Sequence, residues 1–205
     1  MSFEDSSDME DIDQCILRIE KRSSLDILDV LYHLAKKIKP ENYLEIGVFK
    51  GRSMALVLKA SPETNAYGID IWKKHAGFYF SMDEVLASLE EIDIKKLPQL
   101  FSGFSQEILP ELWEDESIPE FFDLILVDGD HTFKGAKKDL ELCVSHLKED
   151  GFLIFHDIAH PILQCLRRLI ASFKMASDGY LFIESYQGNG FCLMTKRSFV
   201  EILNG

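Results

Sequence analysis

Apolar side chains recur every three or four positions through "SSLDILDVLYHLAKKIKP". Leu25, Leu28, Leu31, Ala35 and Ile38 fall on one helical face. Ser23 or Ser24 is placed to cap this helix, and Pro40 to close it. After Pro40 the pattern changes to short, almost continuously apolar runs that alternate with helical ones. "NYLEIGV" reads as a strand and "GRSMALVLKAS" as the helix behind it. "NAYGIDI" is a second strand, "SMDEVLASLEEI" a helix, "LPQLFSG" a weak third strand and "FFDLILVD" a strong fourth. In "FKGAKKDLELCVSHLKEDG", Ala136, Leu140, Cys143, Val144 and Leu147 share a face, and Gly151 is the expected stop. "FLIFHD" is a fifth strand, and "PILQCLRRLIASF" a helix with Pro161 in its first turn.

Strands of this kind, separated by helices, imply a parallel sheet covered on both faces. The end of the chain departs from that rule. "GYLFIESYQ" and "GFCLMTK" flank "GNG", a hairpin signal. The expected fold is therefore α/β: a doubly wound, mostly parallel, seven-stranded Rossmann-like sheet with a C-terminal antiparallel hairpin and helices on both faces. A dinucleotide-binding sheet would lack that hairpin.

Length and charge narrow the picture further. The 205 residues suffice for one domain, expected over 23–205, after an acidic arm and the start of a helical region over 1–22. No apolar run is long enough to span a membrane, and the acidic opening "MSFEDSSDMEDID" is no secretory signal. The net charge of −13 repels a phosphate backbone and argues against nucleic-acid partners. The basic clusters at 36–39, 73–74 and 167–168 read as helix ends or exposed faces. Cys15, Cys143, Cys165 and Cys192 sit in apolar contexts without C-x-x-C pairing, as expected of core thiols in a reducing, cytoplasmic compartment. The sequence leaves both a monomer and a homo-oligomer open.

Candidate chemistry gathers at the strand ends, where doubly wound sheets bind ligands. The first strand carries Glu45 and then Gly47, the second ends at Asp70, the fourth at Asp128, and the fifth at His156 and Asp157. In "EIGVFKGRS", Gly47 permits a tight turn, while Gly51 and Ser53 open a helix whose free N–H groups can hold a carboxylate. The G-x-x-x-G spacing is not the dinucleotide fingerprint. Asp70 suits a ribose diol, though a strand-end turn would also account for it. Trp72, His75, Phe78, Tyr79 and Phe80 could roof an acceptor pocket or pack the next helix.

Taken together, "YLEIGVFKGRS", "YGIDIW", "FDLILVDGDHTFKGAKKDLELCVSHLKEDGFLIFHD" and "GNGFCLM" resemble the class I S-adenosylmethionine-dependent methyltransferases over residues 42–196. Within that class the branch most similar holds macrolide-sugar O-methyltransferases and cephalosporin-hydroxylase-like proteins. The resemblance implies that Glu45, Gly47 and Gly51 frame the methionine half of S-adenosylmethionine. It implies that Asp70 binds the ribose, that the turn from Gly103 to Ser105 lies by the adenine, and that Asp128 sits near the methionine end. In metal-dependent members, acids at the fourth and fifth strand ends hold magnesium. The matching positions are Asp128, His156 and Asp157, with Asp130 as a further source of oxygen. His156 stands where those enzymes have a carboxylate, and imidazole suits manganese, iron, nickel or zinc better than magnesium; a hydrogen-bonded strand-end histidine is its other reading. His131 matches the general base and is otherwise an exposed loop histidine. The implied activity is methylation of a hydroxyl on a small-molecule acceptor, a sugar or phenol, assisted by a divalent metal such as Mg or Mn. A hydroxylase-like enzyme and a catalytically silent cofactor-binding module are the alternatives.

Overall fold

The computed structural model describes residues 12–21, 26–72 and 80–196. The acidic stretch before Ile12, the serines at 23 and 24, and His75, Phe78 and Tyr79 of the aromatic segment lie outside them. Seven strands form one sheet: β1 (Asn42–Ile46), β2 (Asn65–Asp70), β3 (Gln99–Ser102), β4 (Phe122–Val127), β5 (Leu147–His156), β6 (Leu181–Ser185) and β7 (Phe191–Thr195). Their order is β3-β2-β1-β4-β5-β7-β6. The first five are parallel, and β7 runs antiparallel to both β5 and β6. The chain reverses direction across the sheet between β1 and β4, the switch point at which such sheets bind ligands.

Side chains alternate between two apolar layers, as the strand period demands. Tyr43, Leu124, Leu126, Phe152 and Ile154 face α1 (Ile12–Lys21), α2 (Ile27–Ile38), α3 (Arg52–Ala60) and α4 (Met82–Glu91). Leu44, Ile46, Ile125, Val127, Leu153 and Phe155 face α5 (Ser105–Leu112), α6 (Phe133–Ser145) and α7 (Gln164–Ala176). Ile12 and Asp13 already belong to α1, whose buried Ile12, Cys15 and Ile19 join the first layer. α2 is capped by Asp26, whose carboxylate accepts from Leu28 N at 2.8 Å. It ends at Lys39 in the left-handed region, directly before Pro40. The inward face of α2 also carries Asp29 and Tyr32, beside the predicted Leu31 and Ala35. α4 starts with a full capping box between Ser81 and Glu84.

Two local expectations are corrected. The helix expected to reach Gly151 ends at Ser145; Leu147–His156 is one strand, and Gly151 lies inside it. The polar "KED" before Gly151 fits because the β4–β5 register shifts between Phe122 and Leu124, an irregularity that takes up extra residues. α7 starts at Gln164, because Pro161 belongs to a turn closed by His160 N→Asp157 O at 3.3 Å and Leu163 N→His160 O at 3.1 Å. α5 adds a helix to the expected elements, with Pro110 inside its eight residues.

Among the described residues, no helix is long and apolar enough to cross a membrane. All four cysteines are free; three are buried, and half-buried Cys165 on α7 instead points its thiol at His131 O, 3.5 Å away.

Candidate active site

β1 and β4 are drawn together at their carboxyl ends. Asp128 N donates to Ile46 O at 2.8 Å, and Gly47 N to Ile69 O at 2.9 Å. Gly47 has φ +87°, and a Cβ there would stand 2.1 Å from Asp128 O. Only glycine meets both conditions. Gly51 also lies in the left-handed region, at φ +77°, and its N–H closes the turn onto Val48 O at 2.8 Å.

Beneath this turn Glu45 is completely buried. Tyr43 Oη donates to its carboxyl at 2.8 Å, and Ser53 Oγ donates to the other oxygen. Burial pushes Glu45 up to about 8, against the pull of those two donors. Glu45 and Ser53 thus use their polar atoms on each other and tie β1 to α3.

Asp70 accepts from Phe49 N at 2.8 Å with one oxygen and from Trp72 N at 2.9 Å with the other. Gly103 N donates to Asp70 O at 2.9 Å, which brings the end of β3 to the end of β2. Trp72 is buried and donates through Nε1 to Phe101 O at 3.2 Å, so it packs the core, whereas Phe80 meets Phe49 edge-on at 5.2 Å on the lip.

The ends of β4 and β5 bring Asp128, His131, His156 and Asp157 together. His131 Nε2 lies 3.3 Å from Asp128 Oδ1 and 3.3 Å from Asp157 Oδ2. His156 Nδ1 lies 3.0 Å from Asp128 Oδ2 and 3.3 Å from Asp157 Oδ1. Two carboxylates are therefore flanked by two imidazoles. Burial works to raise Asp128, but the two histidines outweigh it and hold the carboxyl below its ordinary value. Contact with Asp128, opposed by burial, raises His131. Burial works to lower His156, and the two carboxylates more than offset it. His131 is the outer of the pair, with 40 % of its side chain exposed against 16 % for His156.

A cation fits this cluster. Among the described residues, His156 Nδ1 and Asp157 Oδ1 are buried without an aligned hydrogen-bond partner, although they stand 3.3 Å from each other. Asp128, His131 and Asp157 also each offer a donor atom within 4.8 Å of the other two. That trio contains His131 in place of His156, which completes the set expected from the sequence; His156 Nδ1 stands 3.0 and 3.3 Å from the same two carboxylates. Asp130 is not part of either. Its Oδ1 accepts from Thr132 N at 2.7 Å, and its carboxylate rests over Gly135, where a Cβ would come within 1.8 Å of Oδ2. Asp130 shapes the turn into α6, which Thr132 caps by accepting from Gly135 N at 3.1 Å.

One residue of the region escaped the sequence reading. Asp139, on α6, is fully buried and accepts from Ser105 Oγ at 2.6 Å, Gln106 Nε2 at 3.3 Å and Asp130 N at 3.3 Å. The signal was present: an acid three positions after Ala136 and four before Cys143 stands on the helix's apolar face. Ser105, expected beside the adenine, spends its hydroxyl on Asp139.

Known proteins agree with this architecture. The sequence model of a family described as a methyltransferase domain matches residues 44–158. Uncharacterized protein R132 of Acanthamoeba polyphaga mimivirus is 23 % identical over 131 residues, 62 % of this chain and 57 % of its own length. The chain thus spans little more than half of that relative. The O-methyltransferase TomG of Streptomyces achromogenes, in complex with S-adenosylmethionine, superposes with a TM-score of 0.67 at 20 % identity, covering 95 % of this chain and 91 % of its own. The O-methyltransferase of Bacillus cereus, in complex with S-adenosylhomocysteine, gives 0.68 at 17 % identity over 94 % and 91 %. At such identities the likeness speaks for the fold. The family match, in contrast, covers more than half the chain and runs from β1 to the residue after Asp157, so the protein belongs to the methyltransferase-domain family, built on the class I S-adenosylmethionine-dependent fold.

Proposed function

We propose that this protein transfers a methyl group from S-adenosylmethionine to a hydroxyl of a small molecule, a sugar or phenol, with help from a divalent cation. The observation that carries the reading is the convergence of Asp128, His131, His156 and Asp157 at the sheet's switch-point edge, beside the Gly47 turn. O-Methyltransferases among the structural neighbours, with the cofactor or its product bound, support it at the level of the fold.

The residues divide the work. Asp70 has acceptor capacity beyond its two backbone contacts, since a carboxylate offers about four lone-pair sites, and it takes the ribose hydroxyls. The turns at Gly47, Gly51 and Gly103 shape the cofactor cleft. The cofactor supplies an electrophilic methyl group, and the protein must hold an oxygen in line with it. Asp128 and Asp157, with the His156 imidazole, would hold the cation, which would lower the pKa of an acceptor hydroxyl. The mixed oxygen and nitrogen donors favour manganese over magnesium. His131 Nε2, on the exposed side of the cluster, takes the hydroxyl proton.

Titration calorimetry with S-adenosylmethionine, S-adenosylhomocysteine, Mn²⁺ and Mg²⁺ tests this. Binding of both cofactor forms and a preference for Mn²⁺ are expected. Folded protein that binds neither cofactor form overturns the reading. The paired imidazoles also suit iron, which keeps a hydroxylase-like enzyme as the second reading. Iron-dependent oxygen consumption without methyl transfer is its mark.

A further inference from the structure

Asp139 is the most unusual buried group outside the cluster. Its carboxylate is 0 % exposed and has no cationic partner among the described residues. A buried charge without a counter-charge is costly, and an amide or hydroxyl in its place would satisfy Ser105 and Gln106 nearly as well. What only a group with acceptors on both ends can do is reach two segments at once. Oδ1 takes Ser105 Oγ and Gln106 Nε2 from the start of α5, and Oδ2 takes the backbone N–H of Asp130 in the loop between β4 and α6. Gly129 packs closely there too, since a Cβ on it would stand 3.2 Å from Asp139 Oδ2. The first segment follows Gly103 at the end of β3, and the second contains Asp128 and His131.

We propose that Asp139 is a positioning residue that clamps the 103–106 turn to the 128–131 loop, so that the cofactor side and the acceptor side of the site are held in one register. The ligands named for the two sides rest on the methyl-transfer reading; the clamp itself does not. Asp139 touches neither ligand and acts through Asp130 and Ser105.

The two ends can be cut separately in the full-length chain. In Asp139→Asn, the amide oxygen still accepts from Ser105 and Gln106, but its NH₂ opposes the N–H of Asp130. Ser105→Ala removes the other end alone. Hydrogen exchange reads the clamp without any ligand: the Asp130 amide of folded Asp139→Asn exchanges at least about tenfold faster than in the parent. Calorimetry then reads its consequence. Asp139→Asn weakens Mn²⁺ by about tenfold and S-adenosylhomocysteine by less than about threefold, as for losses of outer support around metal ligands. Ser105→Ala shows the opposite ranking. Unchanged exchange at Asp130 in a folded variant overturns the clamp. Faster exchange with both affinities unmoved, or with both falling in parallel in each variant, overturns the positioning role. Should Asp139→Asn fail to fold, Ser105→Ala decides by the same ranking of affinities. Absence of cofactor binding by the parent protein overturns the methyl-transfer reading, and the exchange measurement still judges the clamp.

Discussion

His156 Nδ1 stands 3.0 Å from Asp128 Oδ2, yet the two are not aligned as a hydrogen bond. His156 Nδ1 is thus buried without an aligned partner, a lack that a cation held by the neighbouring carboxylates would meet. Asp157→Asn therefore weakens Mn²⁺ binding by more than about tenfold, beyond the loss typical of outer support. S-Adenosylhomocysteine binding changes by less than about threefold, because Asp157 follows β5, two strands away from β1 and its Gly47 turn. Calorimetry with each ligand measures both. Equal losses would refute a separate cation site.

Asp130→Asn tells a turn residue from a ligand. The asparagine oxygen still accepts from Thr132 N, so the entry to α6 persists. Mn²⁺ affinity stays within about twofold and the melting temperature within a few degrees. A tenfold loss of Mn²⁺ affinity would mean that Asp130 reaches the cation after all.

Glu45 predicts a pH-dependent stability. Its carboxyl rises from an ordinary 4.5 to about 8 on burial, so the folded state holds a proton that the unfolded chain has released. Stability from this group is greatest below the unfolded value. It declines as pH rises between the two, by about 1.4 kcal/mol per pH unit at most, and is level above the folded value. Glu45→Gln keeps an uncharged partner for Tyr43 and Ser53. Urea denaturation across this range should show a flatter pH profile for the variant and a higher midpoint than the parent at alkaline pH. Parallel profiles would show that Glu45 is charged in the folded protein.

Gly47→Ala attacks the joint between β1 and β4. The added methyl faces Asp128 O at 2.1 Å on a backbone with positive φ. Strain of this kind costs on the order of 1–3 kcal/mol in unfolding free energy, and the displaced loop loses S-adenosylhomocysteine binding. Denaturation and calorimetry on the same sample check both, and wild-type cofactor affinity would contradict this role.

The sheet was legible because its signals are local. Apolar runs such as "LILV" and "FLIF" admit few alternatives, and "GNG" between two strand-like stretches dictates a hairpin. The strand ends followed from the runs, so Asp70, Asp128, His156 and Asp157 could be named in advance. The boundary between α6 and β5 was not legible, because "LKEDG" has the form of a helix end. Its strand state depends on pairing with Phe122, distant in sequence. The same limit applies inside the site. Sequence presents Ser105 and Asp130 as candidate ligands, and only the packing of α6 shows that Asp139 claims one's hydroxyl and the other's N–H.

The hairpin has a bearing on evolution and engineering. The segment shared with the family ends at residue 158, but β5 lies beside β7, with Phe152 opposite Thr195 and His156 opposite Phe191. Ala159 N also donates to Asn189 O at 2.7 Å. A fragment cut at the limit of the recognisable signature would carry the acids of both strand ends yet leave β5 as a bare apolar edge, open to pairing with other chains. The unit that can be moved between proteins is therefore longer than the one that can be recognised.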